Sequence, residues 1–270
     1  MLLPTKFSVG VAALILSFSV QAEDALSELD FAFGVIETKD VSTGPDHWRG
    51  FLGAGNIVRD DAVAERKVSG LLMVSISYQD TVYFRIGQAG VWLLKSPDSA
   101  ARVGVAVRAR SGYDPDNIDG LAGMEKRDTS IEAGIKGVWR TRPVTATFGI
   151  YTDVSDNSNG NSAQLSLSHS FRLSERWALV PSIGAEWLSS EVVGYYYGVR
   201  PNEATPSRPA YAGESSLNLR AALLAHYKIT QAWFLYGGAS LTHLGSGITD
   251  SPISTQDNLL AVFAGGGWRF

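Results

Sequence analysis

The chain has 270 residues and a formal net charge of −4; 45% of its residues are hydrophobic, 28 are Gly and none is Cys. The absence of Cys excludes disulfide scaffolds, thiolate metal sites and cysteine nucleophiles, and the weak negative charge argues against a general nucleic-acid binder, which needs a basic face. High Gly and aromatic contents with only 19% charged residues are typical of a Gly-rich β-protein.

The first 22 residues are predicted to be a signal peptide. Lys6 precedes an apolar run over 7–20, and Val20-Gln21-Ala22 matches the small-x-small pattern of a cleavage site. We therefore expect cleavage after Ala22, which leaves 23–270 as one exported domain. The apolar run is short for a membrane span, and no later segment offers about 18 uninterrupted apolar residues.

The rest of the chain alternates apolar and polar residues with the period of β-strands. In 215–229, Leu217 and Leu219 alternate with Asn218 and Arg220, which places the two sets on opposite faces. The pattern predicts twelve strands, with ten as the alternative, at 28–38, 66–78, 80–87, 89–95, 101–111, 129–140, 142–151, 160–172, 175–189, 215–229, 232–245 and 257–270. Residues 39–67 are predicted to form a long first loop.

Three features favour an antiparallel transmembrane β-barrel of the bacterial outer membrane over a soluble sandwich. Short connections alternate with long ones, as periplasmic turns alternate with external loops. Trp177 and Trp187 share one strand face ten residues apart, which in a tilted strand is roughly the 25 Å height of the lipid-facing band. The chain ends in Phe270 with Trp268 on the same face. These four aromatic residues are the predicted membrane girdle, and outer-membrane lipids are the predicted partners.

Charged side chains on the opposite strand faces are predicted to lie in the lumen. They are Arg85, Arg108, Arg110, Glu132, Lys136, Glu186 and Arg220. Their net positive charge would make an open lumen an anion-favouring pore. Alternatively, Arg–Glu pairs and large side chains close the lumen.

A second set of cations gathers at the predicted periplasmic ends of the strands. This rim comprises Arg102, Arg140, Arg142, Arg172, Arg176 and Lys228. Such residues contact lipid phosphates, or they form a docking surface for an acidic periplasmic partner or a cell-wall polymer.

No residue pattern predicts a catalytic, cofactor or metal site, and the chain is predicted not to be an enzyme. Ser168 and Ser170 flank His169, but neighbours in a strand point to opposite faces, so the three cannot form a hydrolase site. The four His residues lack metal-ligand spacing. In the longest loop, Tyr195-Tyr196-Tyr197 either anchors a partner, as in an adhesin, or packs over the barrel mouth.

Several segments resemble the MltA-interacting protein/OmpV family. They are 118–138 (IDGLAGMEKRDTSIEAGIKGV), 156–160, 195–199 and 250–253, in the family's order and spacing. The resemblance covers roughly 80–270, whereas 39–78 departs from the family pattern. It implies an outer-membrane barrel, and the family's namesake is a scaffold that joins a membrane-bound lytic transglycosylase to a peptidoglycan synthase. Other members are discussed as surface proteins, adhesins or small-molecule pores.

Overall fold

A computed structural model describes residues 48–270 apart from 65, 66, 99 and 142. The predicted signal peptide, its cleavage site at Ala22 and the predicted strand at 28–38 lie outside the described residues. No helix among the described residues is long and apolar enough to cross a membrane.

The described residues form thirteen strands and two short helices. The strands are β1 (Trp48–Arg59), β2 (Lys67–Tyr78), β3 (Val82–Arg85), β4 (Gln88–Lys95), β5 (Ala101–Arg110), β6 (Ser130–Arg140), β7 (Val144–Asp153), β8 (Asn161–His169), β9 (Phe171–Arg172), β10 (Trp177–Leu188), β11 (Ser216–Lys228), β12 (Trp233–His243) and β13 (Asn258–Arg269). The helices are α1 (Ser190–Tyr197) and α2 (Ser246–Thr249).

The strands close into an antiparallel barrel. Each strand pairs with its neighbour in sequence, β10 pairs with both β8 and β11, and β1 pairs with β13 to complete the ring. The two-residue β9 pairs with β10 beyond a break at Ser170 and so continues β8. The ring therefore has twelve strands, which confirms the predicted fold class and the higher of the two strand counts. Closure leaves no free sheet edge around most of the wall, as a bilayer requires.

The prediction that 39–67 is one long loop was wrong, because β1 occupies 48–59. In β1, Phe51 and Ile57 are buried while Leu52 and Val58 are exposed, so the strand has the alternation that the prediction sought. Gly53 and Gly55 occupy inner-face positions between them, and their lack of side chains hides the apolar pattern. An added Cβ at Gly55 would lie 2.2 Å from the Ala264 carbonyl oxygen, so close contact with β13 requires Gly there.

The outer face of the barrel is apolar. On β11, Leu217, Leu219 and Leu223 are 48–53% exposed, whereas Ser216 and Leu224 are buried. The distribution on this strand is the reverse of that in a water-soluble protein, because its exposed side chains are apolar. Such a surface is stable in hydrocarbon.

The wall is lower at the short hairpin formed by β3 and β4. The ladder between β2 and β3 covers only Ser75–Tyr78, and the Ile86 amide donates to the Val74 carbonyl at 3.3 Å. Beyond that point no described residue pairs with Val68, Gly70 or Leu72 on this side of β2. Among the described residues, this side of β2 is therefore a locally open edge toward the loop end.

Side chains fill the lumen. An apolar cluster lines β1, β2 and β10–β13, and it consists of Phe51, Ile57, Leu71, Met73, Val180, Leu224, Phe234, Tyr236, Ala261 and Phe263. A smaller cluster on β3–β7 contains Tyr83, Trp92, Ala106, Val138 and Tyr151. The barrel interior is thus a packed core over much of its circumference.

Candidate functional site: the packed lumen and the basic turn end

The two ends of the barrel differ in their connections. At one end, called the turn end, the strands are joined by 79–81, 96–100, 141–143, 173–176 and 229–232. At the other, called the loop end, the longest connections are 111–129, 189–215 and 244–257. In outer-membrane barrels the short turns face the periplasm and the long loops face outward.

Four of the predicted lumen residues form a buried ion-pair cluster, called here the charge network. Arg108 Nε donates to Glu132 Oε2 at 2.6 Å, and Arg110 Nε donates to Glu132 Oε1 at 2.7 Å. Both guanidinium groups also reach Glu186 Oε1, at 3.4 Å from Arg108 and 3.0 Å from Arg110. Two Arg and two Glu carry no net formal charge, so the network is electrically balanced.

Neighbouring side chains satisfy the remaining donors of Arg108. Its Nη1 donates to Gln164 Oε1 at 2.8 Å, and its Nη2 donates to Ser162 Oγ at 2.9 Å. Its guanidinium lies 4.1 Å from the centre of the Tyr151 ring. A planar guanidinium group favours both hydrogen bonds of this kind and stacking on an aromatic ring. Together these contacts hold the Arg108 side chain across the lumen.

Of the other predicted lumen residues, Arg220 lies within electrostatic reach of Glu186, and each of the three has contacts of its own. Lys136 Nζ donates to Gln88 Oε1 at 2.5 Å, and Arg220 Nε donates to Thr242 Oγ1 at 3.0 Å. The Arg85 guanidinium lies 5.8 Å from the centre of the Tyr83 ring. The structure thus joins four of the seven predicted residues by ion pairs and places Arg220 near one of them.

The long loops fold into a lid with its own apolar core. This lid core contains Ala62, Val63, Leu121, Met124, Leu188, Val192, Val193, Tyr196, Val199, Leu244, Ile248 and Ile253. Tyr195 and Tyr197 pack against it. The Tyr196 hydroxyl donates to the Arg110 carbonyl at 3.1 Å and accepts from the Ser130 amide at 3.1 Å. These contacts tie α1 to the loop-end termini of β5 and β6, next to the charge network.

A buried ion pair fixes the lid, and sequence reasoning did not find it. Arg127 Nη2 lies 2.7 Å from Glu203 Oε2, and the two side chains are 0% and 1% exposed. Glu203 also accepts from the Glu125 and Arg200 amides. Burial raises the Glu203 pKa, but the hydrogen bonds from Arg127 and Arg200 outweigh it and leave that pKa below its usual 4.5. Loops carry no periodicity that would have paired residues 76 positions apart.

Tyr113 adds a second buried polar contact within the lid. Its hydroxyl donates to the Tyr196 carbonyl at 2.8 Å. Burial raises its pKa to about 12, against the opposing effect of the nearby Arg127. The phenol is therefore neutral at physiological pH and keeps its donor.

The predicted rim cations lie at the turn end, apart from Arg142, which is outside the described residues. Arg172 and Arg176 are exposed, and Arg102, Arg140 and Lys228 are half-buried. Three carboxylates lie at the same end: Asp80 is 3.6 Å from Arg49, Asp98 accepts from Ser96 and the Ala100 amide, and Glu175 is exposed. The turn end therefore presents an excess of positive charge.

Exposed Trp side chains surround the outside of the barrel near its ends. Trp177 and Trp268 are 46% and 40% exposed at the turn end, Trp187 is 41% exposed near the loop end, and Phe270 stacks on Trp268 at 5.2 Å. Sequence reasoning missed three more exposed Trp residues at strand ends on the turn side: Trp48, Trp139 and Trp233. Their positions at strand termini were the available signal.

Comparison with solved structures finds similar outer-membrane barrels at low sequence identity. OmpT of Vibrio cholerae is 9% identical with a TM-score of 0.41, over 84% of this chain and 99% of OmpT. An outer membrane channel of Pseudomonas putida F1 is 10% identical with a TM-score of 0.41, over 87% of this chain and 99% of the channel.

Comparison with known sequences is more specific. An outer membrane protein of Escherichia coli K12 named YiaT is 30% identical over 223 residues, 81% of this chain and 90% of YiaT. OmpV of Vibrio cholerae is 31% identical over 160 residues, 58% of this chain and 61% of OmpV. The MltA-interacting protein of Escherichia coli K12 is 28% identical over 131 residues, 48% of this chain and 52% of that protein.

A family match extends the resemblance toward the N-terminus. The family described as MltA-interacting protein MipA matches residues 52–270. The expectation that the resemblance begins near residue 80 was therefore too narrow, because β2 and most of β1 also match. The chain belongs to the MltA-interacting protein MipA family of outer membrane proteins.

Proposed function

We propose that this outer membrane barrel is a non-enzymatic scaffold that docks periplasmic cell-wall enzymes on its turn end. By resemblance to the family's namesake, the partners would be a lytic transglycosylase and a peptidoglycan synthase. The excess of cations at the turn end is the observation that carries the proposal. Arg172 and Arg176 are exposed there beside the single carboxylate of Glu175, and the carboxylates of Asp80 and Asp98 at the same end are engaged elsewhere. A basic surface attracts acidic partners and speeds their association.

The packed lumen supports docking over the alternative of a small-solute pore. The charge network crosses the lumen, apolar clusters line much of the remaining wall, and the lid covers the loop end. A water-filled passage would need to displace balanced ion pairs and a packed core. In planar bilayers we therefore expect no single-channel steps from the purified protein, and anion-selective steps would favour the pore instead.

The lid likewise argues against Tyr195–Tyr197 as an adhesive patch. Tyr196 is 5% exposed, and its hydroxyl is used within the protein. The rings pack against the lid core and leave little aromatic surface for a partner.

The exposed aromatic residues support the part of the proposal that concerns lipids. In outer-membrane barrels, aromatic girdles lie at both membrane interfaces. Trp177, Trp268 and Phe270 would mark the periplasmic interface, and Trp187 would mark the outer one. Export with removal of residues 1–22 belongs to the same proposal. An N-terminal sequence of the purified protein that begins at Glu23 would support it.

Charge reversal of the rim tests the docking proposal. A triple variant with Arg140→Glu, Arg172→Glu and Arg176→Glu replaces three positive charges with three negative ones. We expect co-purification of a lytic transglycosylase with the membrane-extracted barrel to fall at least about tenfold, because attraction becomes repulsion. Lys126→Glu, an exposed cation at the loop end, is the control that reverses charge away from the proposed surface. Unchanged co-purification in a folded triple variant would contradict docking through the rim.

A further inference from the structure

Three basic side chains meet inside the barrel mouth at the turn end. They are His226 and Lys228 of β11 and Arg269 of β13, and all three surround Phe234 of β12. The His226 ring stacks on Phe234 with centroids 5.2 Å apart, and the Arg269 guanidinium lies 5.5 Å from the centre of the same ring. We call these four residues the turn-end vestibule.

Strand register explains why the three basic groups converge. His226 and Lys228 are two residues apart on β11, so they share a face, and Lys228 lies directly opposite Phe234 on β12. Phe234 lies opposite Gly267, which places Arg269 one step toward the turn on the same inner face. Gly267 has no side chain to separate the guanidinium from the Phe234 ring.

No described carboxylate neutralises this group. None of His226, Lys228 and Arg269 forms an ion pair among the described residues. Asp80, at the same end, is 3.6 Å from Arg49 instead. Lys228 and Arg269 both lie within electrostatic reach of His226, so two positive charges share the vestibule.

Two buried nitrogen atoms of the vestibule have no hydrogen-bond partner in the part of the chain that the structure describes. They are Nε2 of His226 and Nη2 of Arg269. Buried polar groups are nearly always satisfied, and an exception calls for a missing partner. A group that accepts hydrogen bonds and carries negative charge would satisfy both the donors and the crowded charges.

The aromatic floor limits how such a group can enter. Phe51 packs edge-on against Phe234 at 5.7 Å, and both belong to the apolar cluster that fills the lumen on this side. Packed apolar side chains therefore bound the vestibule on this side.

We propose that the turn-end vestibule binds a carboxylate presented by an acidic peptide segment of a periplasmic partner. Arg269 and Lys228 supply the charged contacts, and His226 Nε2 supplies a third donor. The vestibule faces inward, away from the lipid-facing surface, so a peptide from the periplasm reaches it and a bilayer headgroup does not. This inference rests on the proposed docking function and names the chemistry of the partner's contact.

Peptide binding to the refolded full-length chain in uncharged detergent micelles tests the inference. The probe is a fluorescein-labelled (Glu-Gly)₄ peptide, and (Gln-Gly)₄ is its neutral counterpart. We expect fluorescence anisotropy to report saturable binding of the Glu peptide alone. Arg269→Gln should weaken binding about tenfold or more, as expected when a charged hydrogen bond is lost. Lys126→Gln, which removes one positive charge at the loop end, should change binding less than about twofold.

Two milder variants keep the test decisive if Arg269→Gln fails to refold. Arg269→Lys keeps the charge and loses the planar fork, and His226→Phe keeps the stacking on Phe234 and loses the ring nitrogens. Each should weaken Glu-peptide binding by a smaller factor than Arg269→Gln, about threefold or more. Wild-type affinity in both folded variants would overturn the inference. Equal binding of the Gln peptide, or binding of inorganic phosphate without the Glu peptide, would also overturn it.

The outcome can be separated from that of the docking proposal. If rim reversal abolishes enzyme co-purification but the vestibule variants bind the Glu peptide normally, docking stands and the vestibule inference falls. If peptide binding depends on Arg269 but rim reversal leaves co-purification intact, the vestibule binds acidic peptide and docking through the rim falls.

Discussion

The barrel contains two clusters of basic side chains that differ in one respect. In the charge network, Arg108 and Arg110 share the carboxylates of Glu132 and Glu186 at 2.6–3.4 Å. In the turn-end vestibule, Lys228 and Arg269 have no carboxylate partner among the described residues. Both clusters point inward and both lie on strands, so burial and backbone geometry do not explain the difference.

The comparison separates charges that serve the fold from charges available to a partner. A buried ion pair is strongly coupled, because removing one member leaves the other desolvated and alone. A basic group without an anion gives the fold no such benefit and carries a penalty from crowded like charges. The charge network therefore stabilises the barrel, whereas the cations of the vestibule can pair with an anion from another molecule.

The largest expected effect comes from breaking the network. Glu132→Gln keeps the side-chain shape but leaves Arg108 and Arg110 with only Glu186 as an anionic partner. Since Glu132 is 1% exposed, we expect the free energy of unfolding to fall by about 3–5 kcal/mol. Urea unfolding in detergent micelles, followed by Trp fluorescence, measures it. Glu175→Gln, a change of the same type in an exposed turn, is the control and should shift stability by less than about 0.5 kcal/mol.

A loss below about 1 kcal/mol in Glu132→Gln would erase the contrast between the clusters. It would mean that water or rearranged side chains replace the carboxylate. Glu132 would then be dispensable, and the comparison with the vestibule would lose its physical basis.

An intermediate effect is expected for the lid, which contains a third kind of charged site. Its Arg127–Glu203 pair is fully buried but lies outside the membrane-spanning strands. Glu203→Gln should destabilise the lid by about 2–3 kcal/mol, because Arg127 loses its charged partner. The measurement is amide hydrogen exchange at Glu125 and Arg200, whose N–H groups donate to Glu203. Asp128→Asn, an exposed pair member on the same loop, should leave that exchange unchanged.

The same pair makes the lid sensitive to acid. The folded-state pKa of Glu203 is lower than its usual 4.5, so folding favours the ionised carboxylate. The resulting stabilisation is fully present above about pH 4.5 and is lost as the pH falls through the lowered folded-state value. The protection factor at Glu125, which corrects for the slower intrinsic exchange in acid, should therefore fall below about pH 4.5 in the wild type. A pH-independent opening of the lid would contradict the pairing.

Side chains alternate between the two faces of a strand, and this alternation, called here strand parity, explains which features the sequence could predict. In β11 and β5 the period-two pattern assigned Leu219 outward and Arg108 inward, and the barrel follows that assignment. Parity acts within one strand, so it needs no knowledge of the partner strands. It failed at β1, where Gly53 and Gly55 replace the apolar side chains that would have marked the inner face.

Contacts between side chains on distant strands form only when the ring closes, so the sequence could not predict them. Glu186 of β10 meets Arg110 of β5 although 76 positions separate them, and no local pattern encodes that meeting. Arg127 and Glu203 meet in loops that have no period at all. The vestibule is a third case. Alternation within β11 and within β13 places His226 and Arg269 on the inner face, but the two side chains converge only because β11 and β13 flank Phe234.

Arg269→Gln should change the free energy of unfolding less than the other variants, and it tests whether the vestibule serves the fold. Arg269→Gln removes a cation that has no carboxylate partner among the described residues, leaves the Phe234 ring in place and relieves repulsion with Lys228. We expect the free energy of unfolding to change by no more than about 0.5 kcal/mol, in contrast to the loss in Glu132→Gln. The same urea experiment compares them, and heat-modified migration on gels confirms that each barrel has closed. A loss of 2 kcal/mol or more would show that Arg269 is bound into the fold as firmly as Arg108. If stability is retained while acidic-peptide binding is lost, Arg269 contributes to recognition and not to folding.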